Sequence, residues 1–295
     1  MSSPTSFTAK QLRVTLILSP QNSNGVFPGT NSNTLVVEGL RTIANIQTVP
    51  GSVSTHADVK IYGMDQRYMN ALTTIFFNST QQIVFNNMIV EQNSGSGWTQ
   101  VFSGMIIEAQ PEYRSAPAAY FCIQGIVGYQ HQINPVPPST YQGSVSVASV
   151  VQDLAGHMGY AFENDGVTAQ INNPYLSGTY WDQLNRVCAA TNTQYTVTSD
   201  TLVIYPGGIA RSNPPILTLG PKSGLEGYPT LEKFGIVISS LYNPALQAGG
   251  KIKVVGSDIP GANGLWYPFM VDHQLEALAP GGRWHSVSQC LPVKQ

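Results

Sequence analysis

Glycine, proline and asparagine recur along this chain so often that no regular element can run far before it is cut. The 295 residues hold 28 glycines and 20 prolines. The stretches between them alternate apolar with polar side chains, the period of a strand with one buried face. Residues 11–20 set the pattern, with Leu12, Val14, Leu16 and Leu18 on one face and Arg13, Thr15 and Ile17 on the other. Turn chemistry follows in QNSNG and PGTNSN, so the polar stretch 21–33 reads as a long hairpin arm. Residues 34–48 and 54–64, rich in Val, Ile and Thr and parted by Pro50-Gly51, predict two more strands. Further strands are expected at 82–92, 99–108 and 119–129. One segment changes period: Met64, Tyr68, Leu72 and Ile75 recur at helical spacing, which predicts a helix over 65–77 with Asp65 as its N-cap. The first 130 or so residues therefore spell a mostly antiparallel barrel or sandwich with a single helix.

The middle of the chain reads differently. INPVPPSTYQG, residues 133–143, carries three prolines and no evident ladder partner, which marks it as a linker. Beyond it, Val147, Val150, Val151, Leu154 and Met158 form the apolar face of a helix that Gly156 and Gly159 end. Thr179 and Asp182 have the spacing of a capping box and lead Trp181, Leu184 and Cys188 along a second helix. A hairpin over 194–205, turning at Ser199-Asp200, completes a small α+β module. The segments 234–241, 251–255, 266–278 and 283–291 then read as strands between NPALQAGG, PGANG and PGG. The fold class expected is mainly β with a small α+β module: two antiparallel β-barrel-like domains and an inserted helix-helix-hairpin domain. Its divisions fall at residues 1–137, 138–209 and 210–295, with strands open to exchange between segments.

Charge narrows the function. Only 10% of residues are charged, 14 basic and 16 acidic, where an ordinary soluble domain carries about 25%. That excludes a charged disordered tail and a coiled coil, and no apolar run is long enough for a membrane span or anchor. Gripping a nucleic acid requires several phosphates neutralised together, and the nearest basic pair is Lys251 and Lys253. A surface so poor in charge is weakly protected from association, so partners of the chain's own kind are expected to cover much of it. Cys122, Cys188 and Cys290 are odd in number and far apart, which fits buried thiols in a reducing compartment better than a disulfide framework. The N-terminal sequence lacks the basic and apolar regions of a signal peptide, and the sequon at 78–80 therefore carries no weight.

Motifs for nucleotide, dinucleotide, zincin and serine-hydrolase chemistry are absent. Asp153 and His157 sit four apart on one helix, but a third metal ligand cannot be named, and an exposed i,i+4 pair is the simpler reading. Glu108 and Glu112 flank Pro111 and invite comparison with a glycosidase pair, although two charges at a strand end explain them more cheaply. The five histidines do not cluster. Trp98, Trp181, Trp266 and Trp284 are spread across all three segments, as packing residues are and a sugar platform is not. The expectation is no catalytic, cofactor-binding or metal-binding residue: a protein that is not an enzyme and has no cofactor.

Two stretches add a family. VVQDLAGHMGYAFENDGVTAQINNPYLSGTYWDQLNRVCAATNTQYTVTSDTLVIYPGG and SGLEGYPTLEKFGIVISSLYNPALQAGGKIKV resemble the baseplate hub proteins of contractile-tailed bacteriophages. The second has the Gly-Tyr-Pro-Thr strand start at 227–230 and the Asn-Pro-x-Leu turn at 243–246. The resemblance spans roughly residues 145–255, and the first barrel follows on topology alone. It implies a trimer whose subunits each offer two tube domains to a pseudo-sixfold ring. Such a ring adapts a hexameric tail tube to a trimeric central spike and lines the passage for DNA without binding it specifically. The partners implied are a second and third copy, the tail spike protein, the tail tube protein and baseplate wedge or tape-measure components. The location implied is the virion baseplate, after synthesis in the host bacterial cytoplasm. Candidate interface residues are Asn24, Val26 and Phe27 in the arm and Asn243, Pro244 and Leu246 in the turn. The alternative is a cell-wall or glycan-binding tail module that holds sugar through the middle module and an aromatic such as Trp181.

Overall fold

The computed structural model describes residues 9–20, 25–51, 53–73, 85–198 and 200–293. Within them the chain forms two compact units that are interleaved in sequence. The first comprises Met1–Ile46, Ala57–Ile126 and Gln274–Trp284, and the second Gln47–His56, Val127–His273 and His285–Gln295.

Strands β1 (Gln11–Ile17), β2 (Thr34–Glu38), β3 (Thr42–Thr48) and β4 (His56–Tyr62) precede helix α1 (Gln66–Leu72). β5 (Asn87–Asn93), β6 (Trp98–Glu112) and β7 (Tyr120–Ile126) follow it. The sheet order in the first unit is β2-β1-β5-β6-β7-β4-β3. The alternation in the sequence is what the sheet uses: Leu12, Val14, Leu16 and Leu18 are all buried while Arg13 and Thr15 are only half-buried. Residues 34–48 are two strands rather than the one expected, because Gly39 takes a left-handed φ of 76° and breaks the run. β6 is long enough to serve two partners. Its first half pairs antiparallel with β5 and its second half, from Met105 to Glu112, with β7. α1 begins where expected, with the Asp65 carboxylate accepting from the Arg67 amide, and it buries Met69 and Leu72. The expected helix residues 74–77 and strand residues 82–84, like the sequon at 78–80, lie outside the described residues.

The second unit opens with α2 (Tyr129–Ile133), β8 (Pro135–Thr140) and β9 (Ser144–Ser146). The proline-rich stretch is therefore a strand and not a linker. β8 pairs antiparallel with β12 (Tyr175–Thr179) across an irregularity between Leu176 and Gly178. A two-stranded ladder leaves each strand an unpaired side, where a proline's missing N–H costs nothing. Helix α3 (Val147–Met158) buries all five residues of the expected stripe and stops at Gly159, with Gly156 inside it. β10 (Ala161–Asn164) and β11 (Gln170–Asn172) lead to β12 and then α4 (Tyr180–Ala190). The reciprocal bonds of the Thr179–Asp182 capping box are both made, at 3.0 Å. β13 (Thr193–Thr198) and β14 (Thr201–Pro206) form the expected hairpin, and β10 adds to β14 in parallel.

The rest of this unit contains β15 (Leu217–Leu219), β16 (Leu225–Leu231), β17 (Ile236–Leu241) and β18 (Ile252–Val254). Two long strands, β19 (Gly264–Ala277) and β20 (Trp284–Pro292), complete it. Its sheet runs β16-β17-β20-β19, with β18 on β19 and β15 on β18. Leu219, Ile236, Ile238, Leu246, Ile252 and Val271 are among the residues of its core. The architecture is mainly β with antiparallel sheet dominant, as the alternation predicts.

Candidate functional site

The arm residues divide by burial. Asn24 lies outside the described residues. Val26 is exposed, whereas Phe27 is fully buried and meets Tyr68 of α1 edge-on at 5.9 Å. In the turn, the Asn243 carboxamide oxygen accepts from the Ala245 amide at 2.9 Å and its carbonyl from the Leu246 amide at 3.0 Å. That geometry is a locally closed turn. It holds Pro244 outward and drives Leu246 into the core.

The sites considered for chemistry are held by other contacts. Glu108 accepts from Gln110 and Glu112 from the Arg114 amide. Four residues of strand set their α-carbons about 13 Å apart, and each carboxylate is engaged by its own neighbour rather than facing the other. The Asp153 carboxylate accepts from the Tyr141 hydroxyl at 3.3 Å, and His157 stacks on Tyr180 with ring centroids 5.4 Å apart. Among the described residues, no three His, Cys, Asp or Glu side chains converge on a metal position. Trp181 is buried against Tyr195, Trp266 donates to the Ala262 carbonyl at 2.9 Å, and Trp98 lies under the Arg13 guanidinium. The burial of Trp181 leaves that ring no exposed face for a sugar. Burial pushes the thiols of Cys188 and Cys290 up to about 12, which leaves them protonated and inert.

The most connected polar cluster is a joint that no sequence motif announces. Asp165, just past β10, is buried, and its carboxylate accepts from the Ser212 amide and hydroxyl and from the Asn213 amide. The Arg211 guanidinium, also buried, lies 3.6 Å from Asp165 and 3.4 Å from Glu163. The Asn213 carboxamide donates to Glu163 at 2.7 Å. Burial alone would raise the Asp165 carboxyl, but the bonds from Ser212 and Asn213 and the charge of Arg211 outweigh it and hold it below its ordinary range. The Arg211 amide in turn donates to the Gly249 carbonyl, so the cluster fastens the α3–α4 module to the strands that follow it. Its geometry is that of a fastener rather than a reaction centre.

The surface also shows apolar residues that the sequence reading passed over. β16 ends its sheet and exposes Tyr228 and Leu231, and the turn into β17 exposes Phe234, at 66%, 55% and 72%. Phe234 walls a cavity of about 200 Å³ together with Phe269 and Leu291. β2 ends the first unit's sheet and exposes Val36 at 53%. The available signal was GYPTLEKFG, whose Tyr, Leu and Phe recur every third residue and fit neither a helix face nor a strand face.

Against known proteins, the sequence matches the family described as Baseplate hub gp41 over residues 12–278. No curated protein matches it. Among solved structures, the chain is similar to the 43 kDa tail protein of prophage MuSo2 from Shewanella oneidensis, with a TM-score of 0.61, 10% identity and 97% of each chain covered. It is also similar to a tail protein from Neisseria meningitidis MC58, with a TM-score of 0.58, 13% identity, and 95% of this chain and 96% of that one covered. A third similarity is to the E. coli c3393 protein, a component of the type VI secretion system that exhibits structural similarity to T4 bacteriophage tail proteins gp27 and gp5. Here the TM-score is 0.58 at 13% identity, over 86% of this chain and 74% of that one.

Proposed function

We propose, because the chain belongs to the Baseplate hub gp41 family, that it acts as a trimeric hub joining a hexameric tail tube to a trimeric central spike. Membership makes it a structural component of a phage tail baseplate, not an enzyme. The single observation that carries the finer reading is the extent of that match, which takes in nearly the whole chain. In this reading the segments 1–137 and 210–295 supply the two tube domains of each subunit, exchanging strands as the interleaved units do, and 138–209 is the module inserted between them. Val26 and Pro244, the exposed members of the two candidate groups, are the residues this reading assigns to contacts with neighbouring subunits or baseplate proteins. The ring lines the DNA passage of a contractile tail, contacts tube, spike and wedge or tape-measure proteins, and resides in the virion after synthesis in the host cytoplasm. The scarcity of basic residues suits a passage that must not retain phosphates.

Light scattering on the purified chain, alone and mixed with the tail's spike protein, tests this. A trimer, or a monomer that becomes three-plus-three with the spike, is expected. A monomer indifferent to the spike but shifted by peptidoglycan fragments would overturn the hub reading in favour of a glycan-binding module.

A further inference from the structure

We infer that the turn between β19 and β20 is a docking knob, whose Leu278 side chain enters the recess walled by Phe234, Phe269 and Leu291 on a second copy of this chain. The contact is made by side chains, uses the backbone of no strand edge, and stands or falls independently of the trimeric reading. Leu278 is 56% exposed and sits at a φ of 55°. That left-handed region crowds a side chain against its own backbone. Among the described residues, its other non-glycine members are Asn173 and Asn192, a residue type that tolerates it. Glycine or asparagine at 278 would relieve the crowding, so the leucine is kept against the local backbone preference, and such an outlier points to a function. The turn also holds the side chain in one direction. The Glu276 amide donates to the Arg283 carbonyl at 2.8 Å, the Gly282 amide to the Ala279 carbonyl at 2.9 Å, and the Arg283 guanidinium to the Gln274 carboxamide oxygen at 3.1 Å. A large apolar side chain already fixed outward loses little freedom on binding.

The recess has the matching properties. Phe234, Ile236, Phe269 and Leu291 line its volume of about 200 Å³, with Glu232, Lys233 and Gln289 beside them, and Leu278 does not line it in its own copy. An apolar cavity of about 150 Å³ admits one benzene, so this one has room for a single isobutyl group. Charge agrees with shape. Glu276 and Arg283 flank the knob in sequence, while Glu232 and Lys233 immediately precede Phe234 at the recess. Setting Arg283 against Glu232 and Glu276 against Lys233 complements both charges and fixes the direction of entry. A foreign partner would have to supply that combination anew, whereas this chain carries both halves. Two unlike surfaces on one chain make a head-to-tail contact, which closes into a ring or runs on as a stack.

The test is sedimentation velocity over a range of concentrations on the full chain and two variants. Leu278→Asn removes the knob and Phe234→Asp spoils the recess; both positions are exposed, so the far-UV circular dichroism spectrum is expected to be unchanged. The wild-type chain should associate further as its concentration rises, and each variant alone should do so at least tenfold more weakly. Mixed in equal amounts, the two variants should form a complex of two species and nothing larger, because only the knob of the Phe234→Asp chain and the recess of the Leu278→Asn chain remain intact. Leu278→Asn should also keep or raise the melting temperature, since asparagine accepts the left-handed backbone. Undiminished association of either variant would overturn the inference, and so would a mixture no larger than its parts. A wild-type chain that stays a trimer at every concentration would overturn the knob and leave the hub reading standing, whereas one that stays a monomer even with the spike protein would overturn both.

Discussion

Asp165 is the residue whose removal should be felt most, because it neutralises a guanidinium that is itself out of the solvent. Asp165→Asn keeps the volume and leaves Arg211 under-compensated, so a loss of about 3–5 kcal/mol is expected in urea unfolding. Its pH signature has a definite sign. A carboxyl held below its unfolded value contributes stability that is complete above about pH 4 and is lost as pH falls through the folded value. His273 acts in a different window. Burial pushes its imidazole down to about 4, while its ring meets the Ser286 hydroxyl at 2.7 Å and the Tyr242 ring edge-on. The unfolded chain binds that proton from about pH 6.5 downward and the folded chain only near pH 4, so stability drains between those values and this contribution is flat below them. Urea midpoints across pH 7 to 3 should show both slopes, and His273→Gln should remove only the upper one.

At the scale of elements, the turn after β17 separates packing from local closure. Leu246→Ala is expected to cost about 2–5 kcal/mol because Leu246 belongs to the core, whereas Pro244→Ala should stay within about 0.5 kcal/mol. Thermal melts of the two variants check this. Gly235→Ala should be costlier than its exposure suggests, since a β-carbon there would run into the Cys290 carbonyl across the β17–β20 ladder. A loss of about 3 kcal/mol and increased hydrogen exchange in β17 are expected. These elements also show how far the sequence could be read. α3, α4 and β1 were legible because their apolar spacing and caps act within one element. β8 was not, because its partner β12 lies some 35–45 residues on and prolines hide a strand whose other side is unpaired. Phe27 and Leu246 are interface candidates from an arm and a turn, but a turn fixes only the backbone, and in both places the large side chain is buried. The joint at Arg211 was illegible for a related reason: its three charges come from residues 163, 165 and 211, with no periodicity to link them.

For the whole molecule, the proposed oligomer would tie stability to assembly, because sparse charge leaves a lone copy weakly protected from association. If the oligomer is the working form, its melting temperature should rise with protein concentration, and a concentration-independent melt would count against that. The interleaving of the two units has a consequence for synthesis. Gln274–Trp284 belongs to the first unit although 147 residues of the chain separate it from Ile126, the last earlier residue of that unit. A nascent chain emerging from the ribosome therefore holds most of the first unit, while those 147 residues are made, without the segment that completes it. Local pairs such as β5 with β6 can form early, but the unit is finished only once residues 274–284 have been made. Messenger truncation or ribosome stalling before residue 274 would leave that unit incomplete even though most of its strands had been made.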